Sequence, residues 1–271
     1  MKRLAIGGAL ITALAFGLFL YLHRALDMEN IPLILGHGGM GVQSSFPLNS
    51  LKSVSKALSY QVAGTELDVK ISADGTLIAF HDSELSENTS CNGCVAASTA
   101  SDLIQCQYTS LFHSEDIATV RSILNLNHPN GTVFSLDLKP DSLTISKTEI
   151  GFGMELVRLA QEYPQYDFFI ESQDAEFLAS LKMENARAKF FYYGHDSETA
   201  RQTVKKFDLD GISINMDNIS ESEIRSVQNQ GFKVMIWGCG SVLSNRQALE
   251  MQPDIIQTDA IPSMMRILGR I

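Results

Sequence analysis

The residues best suited to chemistry in this sequence stand at or near the ends of short apolar runs. His37 ends Leu33-Ile34-Leu35-Gly36. Glu66 and Asp68 sit in Gly64-Thr65-Glu66-Leu67-Asp68-Val69. His81 and Asp82 follow Leu77-Ile78-Ala79-Phe80, and Asp137 and Lys139 close Val133-Phe134-Ser135-Leu136. Charges facing a packed interior are costly unless they pair or bind a metal. Glu66, Asp68 and Asp137 offer three hard oxygen ligands, a set that suits Mg²⁺ or Ca²⁺ with positions left for water and a phosphate oxygen. His37 and His81 suit general acid and base work near neutral pH. Lys139 lies two residues from Asp137, hence on the same strand face, where it can hold a phosphate oxygen. Each residue also has a plainer reading. A strand-end histidine can be purely structural, Glu66 and Asp68 can pair with Lys70 or Lys139, and Asp82 can cap a loop. The coincidence on successive strand ends favours a site.

The elements that must position these residues follow from the hydrophobic pattern. Strands are expected over Leu33–His37, Gly64–Lys70, Thr132–Lys139, Asp167–Glu171, Ala188–Tyr193, Gly211–Asn215, Lys233–Trp237 and Asp254–Gln257. Helices are expected over Asn49–Tyr60, Gly153–Tyr163, Asp174–Lys182, Ser197–Phe207, Ser220–Gln230 and Ser241–Glu250, several of them opening on an N-capping residue. Eight strands alternating with helices point to an α/β fold, a (β/α)₈ TIM barrel, with a doubly wound open sheet as the rival. Thr76–Phe80 is a further strand, too close to its predecessor for a parallel crossover, so the pair must be a hairpin. Asp74-Gly75 reads as a two-residue type I′ turn. With that register Asp68 lies directly opposite His81, and the two meet Glu66 at one place.

Composition bounds the rest. The chain has 271 residues, 21 Lys plus Arg, 31 Asp plus Glu, a net charge of −10 and four Cys. This excludes a disulfide scaffold and argues against phosphate tracking on nucleic acid, which needs clustered basic residues. The mean hydropathy lies slightly above zero despite the acidity, and the N-terminus accounts for it. Leu4–Leu22 carries no charge, follows Lys2 and Arg3 and precedes His23 and Arg24. Such a run is long enough to cross a membrane as a helix. Ala13-Leu14-Ala15 fits a cleavage pattern, but the apolar run continues beyond it, so we read an uncleaved anchor, with secretion after cleavage as the alternative. The basic N-terminus is expected in the cytoplasm and the remainder outside it, periplasmic or extracellular. The expected organisation is a transmembrane segment over 1–29 and one barrel domain over 30–271.

The ordered motifs Gly36-His37-Gly38-Gly39, Pro47-Leu48-Asn49-Ser50, Glu66-Leu67-Asp68-Val69, Asp74-Gly75, Phe80-His81-Asp82 and Leu136-Asp137-Leu138-Lys139 resemble the glycerophosphodiester phosphodiesterase family. Val234–Trp237 and Asp254–Asp259 look like its closing strands, so the resemblance covers about 30–262. It implies a TIM barrel that hydrolyses glycerophosphodiesters to glycerol 3-phosphate and an alcohol with a divalent metal. It also implies His37 and His81 as the acid/base pair and Glu66, Asp68 and Asp137 as metal ligands. Three departures stand out. Gly38 replaces the arginine that usually follows the first histidine, Leu48 replaces a glutamate, and Asp137 stands where glutamate is common. The Asp-Leu-Lys segment and the missing arginine also resemble sphingomyelinase D-like phospholipases, which act on choline phospholipids.

The implied chemistry has a metal polarising a phosphate oxygen, Lys139 adding charge stabilisation, one histidine deprotonating the nucleophile and the other protonating the leaving alkoxide. Trp237 either walls the pocket for substrate or simply packs the core. The expected partners are a small glycerophosphodiester or lysolipid and, through the anchor, a membrane, with no nucleic acid. Outside the cytoplasm two of Cys91, Cys94 and Cys106 can pair, and Cys239 reads as a small unpaired filler. Two other readings stand beside the hydrolase: a phospholipase D-like enzyme on lysophospholipid or sphingolipid, and an inactive barrel serving as a binding module.

Overall fold

The computed structural model describes residues 30–139, 148–184 and 187–271, together with Gly17, Leu26 and Met28. The expected anchor Leu4–Leu22 therefore lies outside the described residues apart from Gly17. Among the described residues no helix is long and apolar enough to cross a membrane.

The strands are β1 (Leu33–Gly36), β2 (Gly64–Ile71), β3 (Leu77–Ala79), β4 (Ala118–Thr119), β5 (Val133–Leu138), β6 (Asp167–Ser172), β7 (Lys189–Gly194), β8 (Gly211–Asn215), β9 (Lys233–Cys239) and β10 (Ile255–Thr258). Among the described residues eight of them, β1, β2 and β5 to β10, pair in parallel, and β1 joins both β10 and β2, which closes the barrel. Closure follows from sequence pattern. Each strand buries both faces, one against the helices and one inside the barrel, as parallel sheets require. On β2, Leu67, Val69 and Ile71 enter the core shared with the helices, while Glu66 and Asp68 point the other way. The barrel interior is filled by a separate cluster of Leu35, Val133, Phe169, Phe191, Met235 and Ile255, so it is a packed core with the polar residues gathered above it.

Helix starts are fixed by side-chain caps. Ser50 caps Leu51–Leu58, Asp196 caps Ser197–Lys206, and Ser220 forms a reciprocal capping box with Glu223 ahead of Glu221–Gln228. These caps satisfy backbone N–H groups that have no partner within the helix.

The hairpin differs from expectation by one residue. Val69 pairs with Ala79, Lys70 with Ile78 and Ile71 with Leu77. The loop is three residues long, Ala73-Asp74-Gly75, with Gly75 at φ +84°. The Ser72 hydroxyl donates to Asp74 and receives the Thr76 N–H at 2.9 Å. This is a type I turn followed by a left-handed residue, the three-residue alternative to the two-residue turn. The corrected register takes His81 away from Asp68: Phe80 N–H donates to the Asp68 carbonyl instead, at 3.0 Å, and His81 follows outside the strand.

β3 and β4 are antiparallel additions to β2. The chain between them makes an excursion over the barrel mouth with its own core of Ile78, Phe80, Leu85, Val95, Leu103, Cys106, Tyr108 and Ile117. A disulfide joins Cys91 to Cys106, while Cys94 and Cys239 are free, the latter buried. The bond sits at this small core, with Cys106 inside it and Cys91 packed against it. Replacing both paired cysteines by serine is expected to lower stability by about 3 kcal/mol, the chain-entropy value for a loop of this size. Urea titration of the variant against the parent checks this, and a change below about 0.5 kcal/mol would show that the excursion holds without the bond.

Candidate active site

Glu66, Asp68 and Asp137 come together at the C-terminal ends of β2 and β5. The two strands run in register, with Asp68 beside Asp137. One oxygen from each of the three carboxylates lies within 4.8 Å of the others, and all three residues are buried. Glu66 Oε2 accepts the Gly38 N–H at 2.8 Å, but Glu66 Oε1 is buried with no hydrogen-bond partner. A buried carboxylate oxygen left without a donor beside two further carboxylates fits a cation in the same space.

The electrostatics agree. Burial pushes the Glu66 carboxyl well above its usual range, and the negative charge of Asp68 adds to the rise. Burial raises Asp137 to about 7, with Glu171 adding to the rise and Lys139 opposing it. Lys139 Nζ lies 2.5 Å from Asp137 and 3.3 Å from Asp68. Burial disfavours its charge, but the Asp137 and Asp68 carboxylates more than offset this and keep the ammonium protonated. One lysine against three carboxylates leaves a negative excess that a divalent cation would neutralise.

His37 follows β1 and stands over this centre. Its Nδ1 lies 2.8 Å from Asp259 Oδ1, and its Nε2 faces Glu66 Oε2 at 3.9 Å. An ionised carboxylate only accepts, so Nδ1 carries the proton and Nε2 is the nitrogen left for chemistry. Burial lowers the affinity of His37 for its second proton. The Asp259 hydrogen bond and the Glu66, Asp259 and Asp68 charges outweigh that and raise its pKa to about 10. Asp259 responds in the opposite sense: burial raises it, and the His37 contact holds it below its ordinary value.

The loop after β1 is shaped around these contacts. Gly41 has φ +86°, and a Cβ there would stand 2.4 Å from the Asp259 backbone, so only glycine lets the loop cross Asp259. Asn49, expected to open the first helix, adopts φ +64° instead. Its amide donates to Asp68 Oδ2 at 2.9 Å, and its oxygen accepts the Asp68 N–H at 3.1 Å. Gly38 (φ +55°) packs on Leu48: a Cβ at 38 would lie 2.9 Å from the Leu48 side chain. Two of the family departures, at positions 38 and 48, are thus one physical contact.

His81 stands apart from the buried centre. Its side chain is 57% exposed, and its Nδ1 pairs with Asp82 Oδ1 at 2.9 Å, Asp82 being held in turn by Asn88. It lines the same cleft of about 1070 Å³ as Asp137, Lys139 and Tyr193. Tyr193, rather than Trp237, lines this cleft, and Trp237 stacks on it with ring centroids 5.5 Å apart. A second cleft of about 390 Å³ meets the first at His81 and is lined by Phe46, Pro47, Leu48, Phe80, Tyr108 and Phe112, among others.

Three residues that matter here were absent from the sequence-based set of candidates. Asp259 and Asn49 position His37 and Asp68. Glu171, on β6 beside Asp137, is buried and accepts from Ser135 and Gln257, each at 2.6 Å. Glu171 carried the same signal as the others, a charge ending an apolar run.

The sequence model of the glycerophosphoryl diester phosphodiesterase family matches residues 40–262. No curated protein matches the chain. Several solved structures are similar in fold. A phosphodiesterase from Oleispira antarctica, in complex with the product sn-glycerol-3-phosphate, aligns with a TM-score of 0.75 at 18% identity over 88% of this chain and 97% of its own. Glycerophosphodiester phosphodiesterases from Parabacteroides distasonis (TM-score 0.71, 16% identity, 89% and 98% covered) and Thermotoga maritima (0.68, 18%, 86% and 97%) align similarly.

Proposed function

Because this chain belongs to the glycerophosphoryl diester phosphodiesterase family, we propose that it hydrolyses glycerophosphodiesters to sn-glycerol 3-phosphate and an alcohol. The observation that carries this reading is the convergence of three buried carboxylates, one oxygen of which lacks any donor, beneath a histidine locked by Asp259. Glu66, Asp68 and Asp137 would hold Mg²⁺ or Ca²⁺, which when bound supplies Lewis acidity toward a phosphate oxygen.

The chain's own groups do the rest. Lys139, at the mouth of the carboxylate cluster, attracts the diester and stabilises charge on it. His37, which favours its protonated form, donates from Nε2 to the departing alkoxide. His81, exposed in the cleft and oriented by Asp82, takes the proton of the attacking water or glycerol hydroxyl. Asp259 holds the His37 tautomer, and Trp237 supports Tyr193 as one wall. We further propose that the domain works outside the cytoplasm: the Cys91–Cys106 disulfide supports an oxidising compartment.

One observation favours a second reading. The smaller cleft carries apolar side chains on part of its wall, among them Phe46, Pro47, Leu48 and Phe80, and Leu111 and Phe112, also on its lining, are 95% and 75% exposed. An acyl chain fits such a surface, as a lysophospholipid substrate would require. Turnover of glycerophosphocholine, glycerophosphoethanolamine and lysophosphatidylcholine, each with Mg²⁺, Ca²⁺ or EDTA, separates the two. Metal-dependent release of glycerol 3-phosphate from the first two is the expected result. Turnover of lysolipid alone would replace the first reading by the second, and turnover of none would sink both.

A further inference from the structure

One buried acidic residue of the barrel has no part in the chemistry above. Glu171, on β6, is 1% exposed. In register it stands beside Asp137, which stands beside Asp68. A fourth carboxylate in this row is costly, because an apolar side chain would fill the same space without losing hydration or adding like charge. Its contacts give it a use.

Both hydrogen bonds to Glu171 reach the same oxygen, Oε1. Ser135 Oγ donates at 2.6 Å and Gln257 Nε2 at 2.6 Å. The two donors hold matching places. Val133 and Ile255 belong to the interior cluster of the barrel. By the two-residue strand period, Ser135 and then Asp137 face inward from β5, and Gln257 and then Asp259 from β10. Ser135 therefore lies one step below Asp137 of the carboxylate centre, and Gln257 one step below the carboxylate that locks His37. β5 and β10 are not neighbours: β1 and β2 separate them on one side, and β6 to β9 on the other. The Ser135–Glu171–Gln257 chain is thus a direct tie across the interior between two strands that share no backbone ladder. All three side chains are buried, where hydrogen bonds are electrostatically stronger than in water.

We propose that Glu171 is a positioning residue: it ties the strand end that presents Asp137 to the strand end that presents Asp259, and so fixes His37 relative to the carboxylate centre. This deepens the phosphodiesterase reading above and rests on it. Hydrolysis needs the histidine and the phosphate held at one separation, and a displacement of about 1 Å can cost about a hundredfold in rate. A carboxylate suits the task because one ionised oxygen accepts two charge-assisted bonds, which a neutral acceptor makes more weakly.

The tie can be cut at either end without changing the charge of the site. Ser135→Ala and Gln257→Leu should each lower kcat of the full chain on glycerophosphocholine with Mg²⁺ by about tenfold, with KM nearly unchanged. The double variant should lose little more than the worse single one, since a tie cut once cannot be cut again. Calorimetry gives a readout apart from turnover. Gln257 stands on a strand that bears none of the three carboxylates, yet Gln257→Leu should weaken Mg²⁺ binding by up to about tenfold, as loss of a supporting partner does. Losses that multiply in the double variant would mean two independent contacts and would overturn the proposal. So would single variants that melt at lower temperature but keep kcat and Mg²⁺ affinity, the mark of a purely structural role. A parent that binds Mg²⁺ but turns over no glycerophosphodiester would instead defeat the phosphodiesterase reading, and the Mg²⁺ affinities would still decide whether the tie acts on the centre.

Discussion

His37→Ala is expected to lower kcat on a glycerophosphodiester by about 10³-fold with little change in KM, the size and form of a lost general acid. The histidine is placed to act when charge develops on the leaving oxygen, not to bind the ground state. Asp259→Asn should cost less, about 10²-fold, because the ring remains but its Nδ1–H contact and tautomer are no longer fixed. The pH profile carries the sharper signature. With its pKa raised to about 10 by the Asp259 hydrogen bond and the Glu66 charge, against the opposing effect of burial, His37 is a protonated donor throughout the neutral range. Activity should fall on the alkaline side as that proton is lost. A bound cation neutralises part of the Glu66 charge and moves this limb below 10, and Asp259→Asn should move it further down. Steady-state kinetics across about pH 6 to 10 test this. A loss below about tenfold in His37→Ala would leave the residue as packing only.

Removing metal is expected to abolish turnover and to reshape the pH dependence of stability. Asp137 is raised from 3.8 to about 7 and Glu66 is raised in the same sense. A carboxyl raised in the folded state binds more protons folded than unfolded, so folding loses stability as pH rises through the window from about 4 to 7. His37, raised from 6.5 to about 10, contributes stability that is complete below 6.5 and lost as pH rises toward 10. All three act in one direction, and the metal-free protein should melt at progressively lower temperature from about pH 5 to pH 9. Metal binding needs the carboxylates ionised, so affinity should weaken by up to about tenfold per pH unit below 7 for each proton displaced. Saturating Mg²⁺ or Ca²⁺ should therefore give its largest thermal shift at the alkaline end. Melting curves with metal and with EDTA across this range decide it. A shift that is absent, or largest at pH 5, would contradict a metal centre built on these residues.

The barrel was legible because its strands are short β-branched and aromatic runs buried on both faces, and their expected ends fall within about two residues of those observed. The same-face pairing of Glu66 with Asp68 and of Asp137 with Lys139 needed only the two-residue strand period. Two things were hidden for physical reasons. Asp74-Gly75 suits either a two- or a three-residue hairpin, and the Ser72 hydroxyl, which ties the turn together, decides between them. The error of one residue misplaced His81. The Asp259–His37 contact joins residues 222 positions apart, and nothing local in either segment announces it. It follows only once the last strand is laid beside the first, because barrel closure sets both strand ends on the same rim. Asn49 read as a helix opener, whereas its left-handed backbone and paired bonds to Asp68 make it part of the centre, and Ser50 takes the cap.

The Gly38–Leu48 contact bears on how this chain can change. An arginine placed at 38 meets the Leu48 side chain and a left-handed backbone. Exchanging Leu48 relieves only part of this, because its Cβ already lies 3.0 Å from a Cβ built at 38 and the left-handed backbone stays. The loop therefore holds position 38 to glycine through its backbone as well as through its neighbour, and charge added to the phosphate site has to come from other residues of the cleft.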